Sequence, residues 1–269
     1  MLAAALTAPA SADPLGLTTS APLVSAGTTV PALCSGTNPF AITAGLNGNP
    51  APCAIAPRSF VIEAIYLQNA SRVGGTALAA YPLVSLRAGI LPRLQFTFDA
   101  PSEIAQSRPG GGGAFPITHL GYGLTYTVAE TDRVATALVT EVLPPDSRFT
   151  AANAQSRYSF GLASDVSITS KWTLGATGAA TSSSRAGFGL LLPSLDVTAG
   201  YAPNAHTQFV TGLGTRIVSR RAVSQSFTDV GVNQILDKKL FFMVGLGTTF
   251  NAVNSTKPHY LATGFTYRP

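Results

Sequence analysis

Few residues in this chain are spaced for catalysis. Three histidines, His119, His206 and His259, stand far apart, and no cysteine pair or acid cluster joins any of them at a metal-ligand spacing. A base and a nucleophile carried on one strand must lie two residues apart, so that both project from the same face. His119 is followed by Leu120 and Gly121, so the nucleophile is missing, and His119 reads as a polar residue near the mouth of its strand. The glycine run 110–113 has neither the following Lys-Ser/Thr pair nor the helix pattern of a phosphate loop, and reads as a flexible external loop. No enzyme, no metal site and no cofactor are expected.

Two cysteines carry the clearest covalent chemistry. Cys34 and Cys53 flank SGTNPFAITAGLNGNPAP, a segment too rich in Pro, Gly and Asn to bury a core of its own. A disulfide is the natural reading for an exported chain. Closing a loop of this size stabilises by roughly 3 kcal/mol through the entropy of the unfolded chain.

Charge is sparse. Asp, Glu, Lys and Arg make up 11% of the 269 residues, against about 25% in an average soluble domain. The balance is basic, with 17 Lys and Arg against 12 Asp and Glu. The basic residues are scattered along the chain, singly or in adjacent pairs, which does not suit nucleic-acid binding.

The elements that must position these residues are strands. Residues 1–12 end in the small-x-small site Ala10-Ser11-Ala12 after an apolar stretch, the pattern of a secretory signal peptide. Residues 13–57 show no sustained period and read as an irregular periplasmic leader or plug. From residue 58 to 269 a two-residue alternation takes over. In 94–99, Leu94, Phe96 and Phe98 alternate with Gln95, Thr97 and Asp99; in 120–128, Leu120, Tyr122, Leu124, Tyr126 and Val128 alternate with Gly and Thr. The runs 158–168 and 240–250 repeat this rhythm. Each has one apolar face and one small or polar face, which is the side-chain period of a strand.

The joins alternate as well. Tight turns are expected at Leu91-Pro92-Arg93, Glu130-Thr131-Asp132, Ser170-Lys171, Pro203-Asn204 and Asp237-Lys238. Longer joins fall between them, at Asn69–Gly75, Pro101–Ala114, Pro144–Arg157, Ser182–Ala186, Arg220–Ser226 and Asn251–Lys257. These eleven connections link about twelve strands and put both ends of the array on one side. Short periplasmic turns and longer outer loops mark a transmembrane antiparallel up-and-down β-barrel of the Gram-negative outer membrane. A soluble exported β-sandwich is the all-β alternative, in which the apolar faces would be core. Trp172, Tyr201, Tyr158 and Tyr267 fall near strand ends, where girdle aromatics of a barrel sit.

Strand phase then sorts the charges. Glu63, Arg87, Asp99, Glu141, Asp165, Arg216 and Asp229 are assigned to the lumen, because a lysine or arginine facing lipid at mid-depth costs about 2–4 kcal/mol. Arg148, Arg157, Arg185, Arg220 and Arg221 are assigned to outer loops, where guanidinium forks suit lipopolysaccharide phosphates.

The tail DVGVNQILDKKLFFMVGLGTTFNAVNSTKPHYLATGFTYRP, with GLTYTVAETDRVATALVTEVLPP and DVSITSKWTLGATGAA before it, resembles outer-membrane transporter-like barrels of the meta-pathway of phenol degradation. The likeness spans residues 58–269 and implies a barrel that passes hydrophobic or aromatic compounds, with no catalytic motif to carry over. The chain departs from the usual outer-membrane ending, closing on Tyr267-Arg268-Pro269 and not on a terminal aromatic. The expected function is a passive channel or transporter for a small-molecule solute. It would be inserted by the barrel assembly machinery and partnered by outer-membrane lipid and lipopolysaccharide. A structural or adhesion-type barrel with a filled lumen is the competing reading.

Overall fold

Alternation along each strand has its expected result: the chain closes into a twelve-stranded antiparallel β-barrel, with its apolar side chains on the outside. The computed structural model describes residues 33, 34, 40, 50–70, 77–100, 102–107, 113–117, 120–144, 157–185, 188–217, 224–250 and 259–269. Fourteen strand segments follow in order: β1 (Phe60–Ala70), β2 (Ala77–Leu91), β3 (Leu94–Asp99), β4 (Ser102–Ser107), β5 (Gly113–Ile117), β6 (Gly121–Glu130), β7 (Val134–Leu143), β8 (Arg157–Ser167), β9 (Trp172–Arg185), β10 (Phe188–Tyr201), β11 (Thr207–Ile217), β12 (Ser224–Ile235), β13 (Leu240–Phe250) and β14 (His259–Tyr267). They make twelve barrel strands because β3 with β4, and β5 with β6, are each one strand interrupted once. Both β3 and β4 pair with β2, while β6 pairs with β3 and β5 with β4. The β1–β14 and β1–β2 pairings close the ring.

The outer face decides the environment. Leu213, Leu246, Val230, Phe160 and Phe265 are 61%, 58%, 57%, 52% and 50% exposed, although they stand within paired strands. A soluble sandwich would bury this set, so that alternative is excluded by the fold. Exposure of so many large apolar side chains is stable only against an apolar solvent. The girdle aromatics sit at strand ends on the same outer face, where Trp172 and Tyr201 stack with ring centroids 4.7 Å apart.

All five tight turns form where the sequence places them, and four share one device. Thr131, Thr169, Asn204 and Asp237 each accept, on one side-chain oxygen, the backbone N–H groups two and three residues ahead, at 2.6–3.3 Å. This satisfies the orphan donors of a short reversal. The fifth, Leu91-Pro92-Arg93, uses the preset backbone of a proline and places Arg93 at φ 68°, the left-handed region.

Two of the longer joins are shorter than expected. Segments β4 and β5 extend the hairpin into the region read as the loop Pro101–Ala114. The Ser182–Ala186 join is mostly strand, with Arg185 paired to Phe188. Serine-rich and proline-rich runs resemble loops locally, but pairing with a formed neighbour extends the ladder through them.

Candidate functional site

Inward-facing positions alternate with the lipid-facing ones, so every barrel strand contributes a line of side chains to one lumen. These are mainly Gly, Ala, Ser and Thr, which fill little space. A cavity of about 470 Å³ remains within, lined by Glu63, Arg87, Asp99, Glu141 and Asp196 on one set of positions and by Ile65, Val84, Val139 and Leu143 on another.

Glu63 and Arg87 face each other across β1 and β2. The Arg87 guanidinium donates to Glu63 Oε1 at 2.7 Å, and the two side chains, Arg87 and Glu63, are 6% and 3% exposed. Thr266 on β14 donates its hydroxyl to the same oxygen at 3.4 Å. A charge pair this deep is held by mutual compensation, since either member alone would be strongly destabilised.

The strand aspartates are placed by a different rule. Asp99, Asp165, Asp196 and Asp229 each register directly opposite a glycine of a neighbouring strand: Gly121, Gly175, Gly214 and Gly212. A Cβ at Gly175, Gly212 or Gly121 would fall 2.6, 2.7 and 2.9 Å from the facing carboxylate oxygen. At Gly214 the Asp196 carboxylate and the Phe227 ring occupy that space. The missing side chain lets each carboxylate lie along the wall. Asp229 also accepts the Tyr260 hydroxyl at 3.1 Å.

The part of the leader next to β1 runs inside the barrel. Leu33, Ala51, Cys53 and Ile55 are 1%, 7%, 0% and 3% exposed, and Leu33 and Cys53 pack with Ala135 of β7. The Cys34–Cys53 disulfide is formed. Thr127 of β6 is the central polar contact: its hydroxyl donates to the Pro52 carbonyl at 2.8 Å and accepts the Ala54 N–H at 3.0 Å. Gln95 of β3 accepts the Ile55 N–H at 3.3 Å. Gly89 of β2 lets the chain pass, because a Cβ there would collide with the carbonyl oxygens of Ile55 and Ala56. The Arg58 N–H then bonds the Gly89 carbonyl at 3.1 Å, delivering the chain into β1.

Of the charges assigned to the lumen from sequence, Glu63, Arg87, Asp99 and Glu141 line the cavity. Asp165 and Asp229 lie across their glycines on inward positions, and Arg216 donates to Gln225 at 2.9 Å on a more exposed part of β11. Asp196 belongs with them, although the sequence reading passes over it. The signal is present, since Leu195 and Val197 on either side are outward and 52% and 46% exposed. Thr127, Gln95 and Gly89 carry no motif, and only their contacts reveal them. Of the loop cations, Arg157 and Arg185 are terminal residues of β8 and β9 and not loop residues. Arg148, Arg220 and Arg221, like His119 and most of the glycine run, lie outside the described residues.

No protein-family model and no curated protein matches this sequence. Solved structures do. The chain is similar to the COG4313 outer membrane channel from Pseudomonas putida F1, at TM-score 0.63 and 14% identity over 80% of this chain and 97% of that one. It is also similar to the translocator domain of the autotransporter NalP from Neisseria meningitidis, at TM-score 0.52 and 11% identity over 80% and 90%. A KdgM porin in complex with disordered oligogalacturonate follows at TM-score 0.50 and 9% identity over 76% and 98%. Identities this low establish a shared outer-membrane barrel fold and no more.

Proposed function

We propose that the chain is a passive channel of the bacterial outer membrane for small solutes, with residues 13–57 as a plug in its periplasmic end. One observation carries this reading: a closed barrel with a lipid-compatible exterior retains a cavity of about 470 Å³ among small inward side chains. A lumen built only to be filled would use large residues at those positions. Ile65, Val84, Val139 and Leu143 on the cavity wall support passage of aromatic or otherwise apolar compounds, in line with the resemblance to the phenol meta-pathway barrels. The outer arginines, Arg148, Arg157, Arg185, Arg220 and Arg221, would anchor the rim to lipopolysaccharide phosphates.

The buried leader favours the rival reading of a structural barrel, and the two part in planar bilayers. Thr127→Val removes both hydrogen bonds to Pro52 and Ala54 while keeping side-chain volume. That weakens leader docking by about 1–3 kcal/mol. The channel reading expects single-channel steps whose conductance or open fraction rises severalfold in this variant. Silence of both the wild type and the variant, with assembly verified by heat-modifiable gel migration, would leave the structural reading standing.

A further inference from the structure

The interior carries the opposite sign to the chain. The whole sequence has a formal net charge of +5. Yet the inward positions of the described strands hold the carboxylates of Glu63, Asp99, Glu141, Asp165, Asp196 and Asp229, against the guanidiniums of Arg87 and Arg216, with Arg157 and Arg185 in the same phase at the ends of β8 and β9. Arg87 is committed to Glu63 at 2.7 Å. Other described cations stand at the ends of the barrel: Arg93, Arg133, Lys171, Lys238 and Lys239 lie in the tight turns, where they are exposed. Segregation of this kind follows from no requirement of folding, since lumen positions accept either sign.

The glycines opposite the aspartates make this a property of the wall. Asp165, Asp196 and Asp229 stand on alternate strands of one arc, β8, β10 and β12, and Asp99 stands on β3, beyond β7 and β6. At each, the facing glycine accommodates a carboxylate laid against the wall. The negative charges are thereby gathered along that arc and at β3 without narrowing the lumen. A narrow, low-dielectric passage lined by one sign focuses field lines and enriches the counter-ion. Screening at 0.1 M salt acts over about 10 Å, too long a distance to erase a field at the wall of a lumen one cavity wide.

We infer that the lumen selects cations over anions, with small inorganic cations and small organic ammonium ions as the favoured charged solutes. Asp99, Asp165 and Asp196 are the determinants, each held in place across its glycine. The inference rests on the channel reading above.

The test is the reversal potential of the full-length protein, wild type and Thr127→Val, in planar bilayers under a tenfold potassium chloride gradient. The expected potassium-to-chloride permeability ratio is about ten, the lower end of counter-ion enrichment in a cleft of one sign. Asp99→Asn, Asp165→Asn and Asp196→Asn, combined, keep the side-chain shapes and should lower the ratio at least threefold, roughly as expected for removing half of the carboxylates. The three single variants should each lower it in part, which covers a combined variant that fails to assemble. Conducting channels with a ratio near or below one overturn cation selectivity while leaving the channel reading intact. Ratios unmoved by the single variants overturn the assignment to these aspartates. Silence of both forms overturns the channel reading and the selectivity with it.

Discussion

Two sectors of the barrel wall are built differently. From β7 round to β14 and on to β1, every strand pairs with the next without a shift of register. From β1 to β7 the wall is irregular. Register shifts fall between Ile65 and Leu67, between Gly89 and Leu91, and between Thr127 and Ala129, and the ladder breaks between Asp99 and Ser102. The irregular sector is the one that holds the leader: Gly89, Gln95, Thr127 and Ala135 all belong to it. Two of its register shifts begin at leader-contacting residues, Gly89 and Thr127. The regular sector carries three of the four aspartate–glycine pairs. A bulge re-aims a side chain at the cost of ladder bonds, whereas an unbroken ladder keeps carboxylates in fixed phase. One sector grips a segment of chain; the other presents a uniform surface to whatever enters.

The sharpest way to break this comparison is to remove the ion pair joining β1 to β2 inside the irregular sector. Arg87→Met leaves Glu63 buried without its cation and should cost about 3–5 kcal/mol. Adding Glu63→Leu should restore most of that, as urea unfolding in detergent micelles would report. If Arg87→Met alone is nearly neutral, the irregular sector is not held by the pair.

A smaller effect is expected at Gly89. Gly89→Ala sets a methyl group against the carbonyls of Ile55 and Ala56, an overpacking worth about 1–3 kcal/mol. The leader should leave its seat and residues 50–57 should become cleavable by added protease while the barrel stays folded. Continued protection of that segment would show that the passage over β2 is not tight. The matched control in the regular sector is Gly178, where an added Cβ would meet nothing within 4 Å. Gly178→Ala should be tolerated and should stabilise by about 0.5–1 kcal/mol; a loss of stability there would remove the contrast.

What was legible in the sequence follows the same division. Strand phase is local, so the alternation at 94–99, 120–128, 158–168 and 240–250 shows which side chains face lipid, and the turn residues mark the strand ends. The inward assignment of Glu63, Arg87, Asp99 and Glu141 needs only that phase. The partner of each residue is another matter. That Asp165 meets Gly175, or that Asp229 meets Gly212, depends on the register between strands, which is settled jointly by turn lengths and by closure of the whole ring. The bonds from Thr127 to Pro52 and Ala54 span more than seventy residues, and no local pattern announces a contact so distant. The loop assignment of Arg185 fails for the opposite reason: the serines before it have weak strand preference, and the ladder with β10 supplies the order they lack.

The Cys34–Cys53 link has a consequence for the order of events during biogenesis. Cys53 is 0% exposed and packed against Ala135 of the wall. Once the ring has closed, an oxidant of protein size can reach the pair only through Cys34, which is half-buried. A link made while the chain is still open meets no such obstacle, and the barrel then closes around a loop already tied. Delayed oxidation would trap a finished barrel with two free thiols inside it, a chronological failure detectable by a small alkylating probe and invisible to any assay of the wall itself.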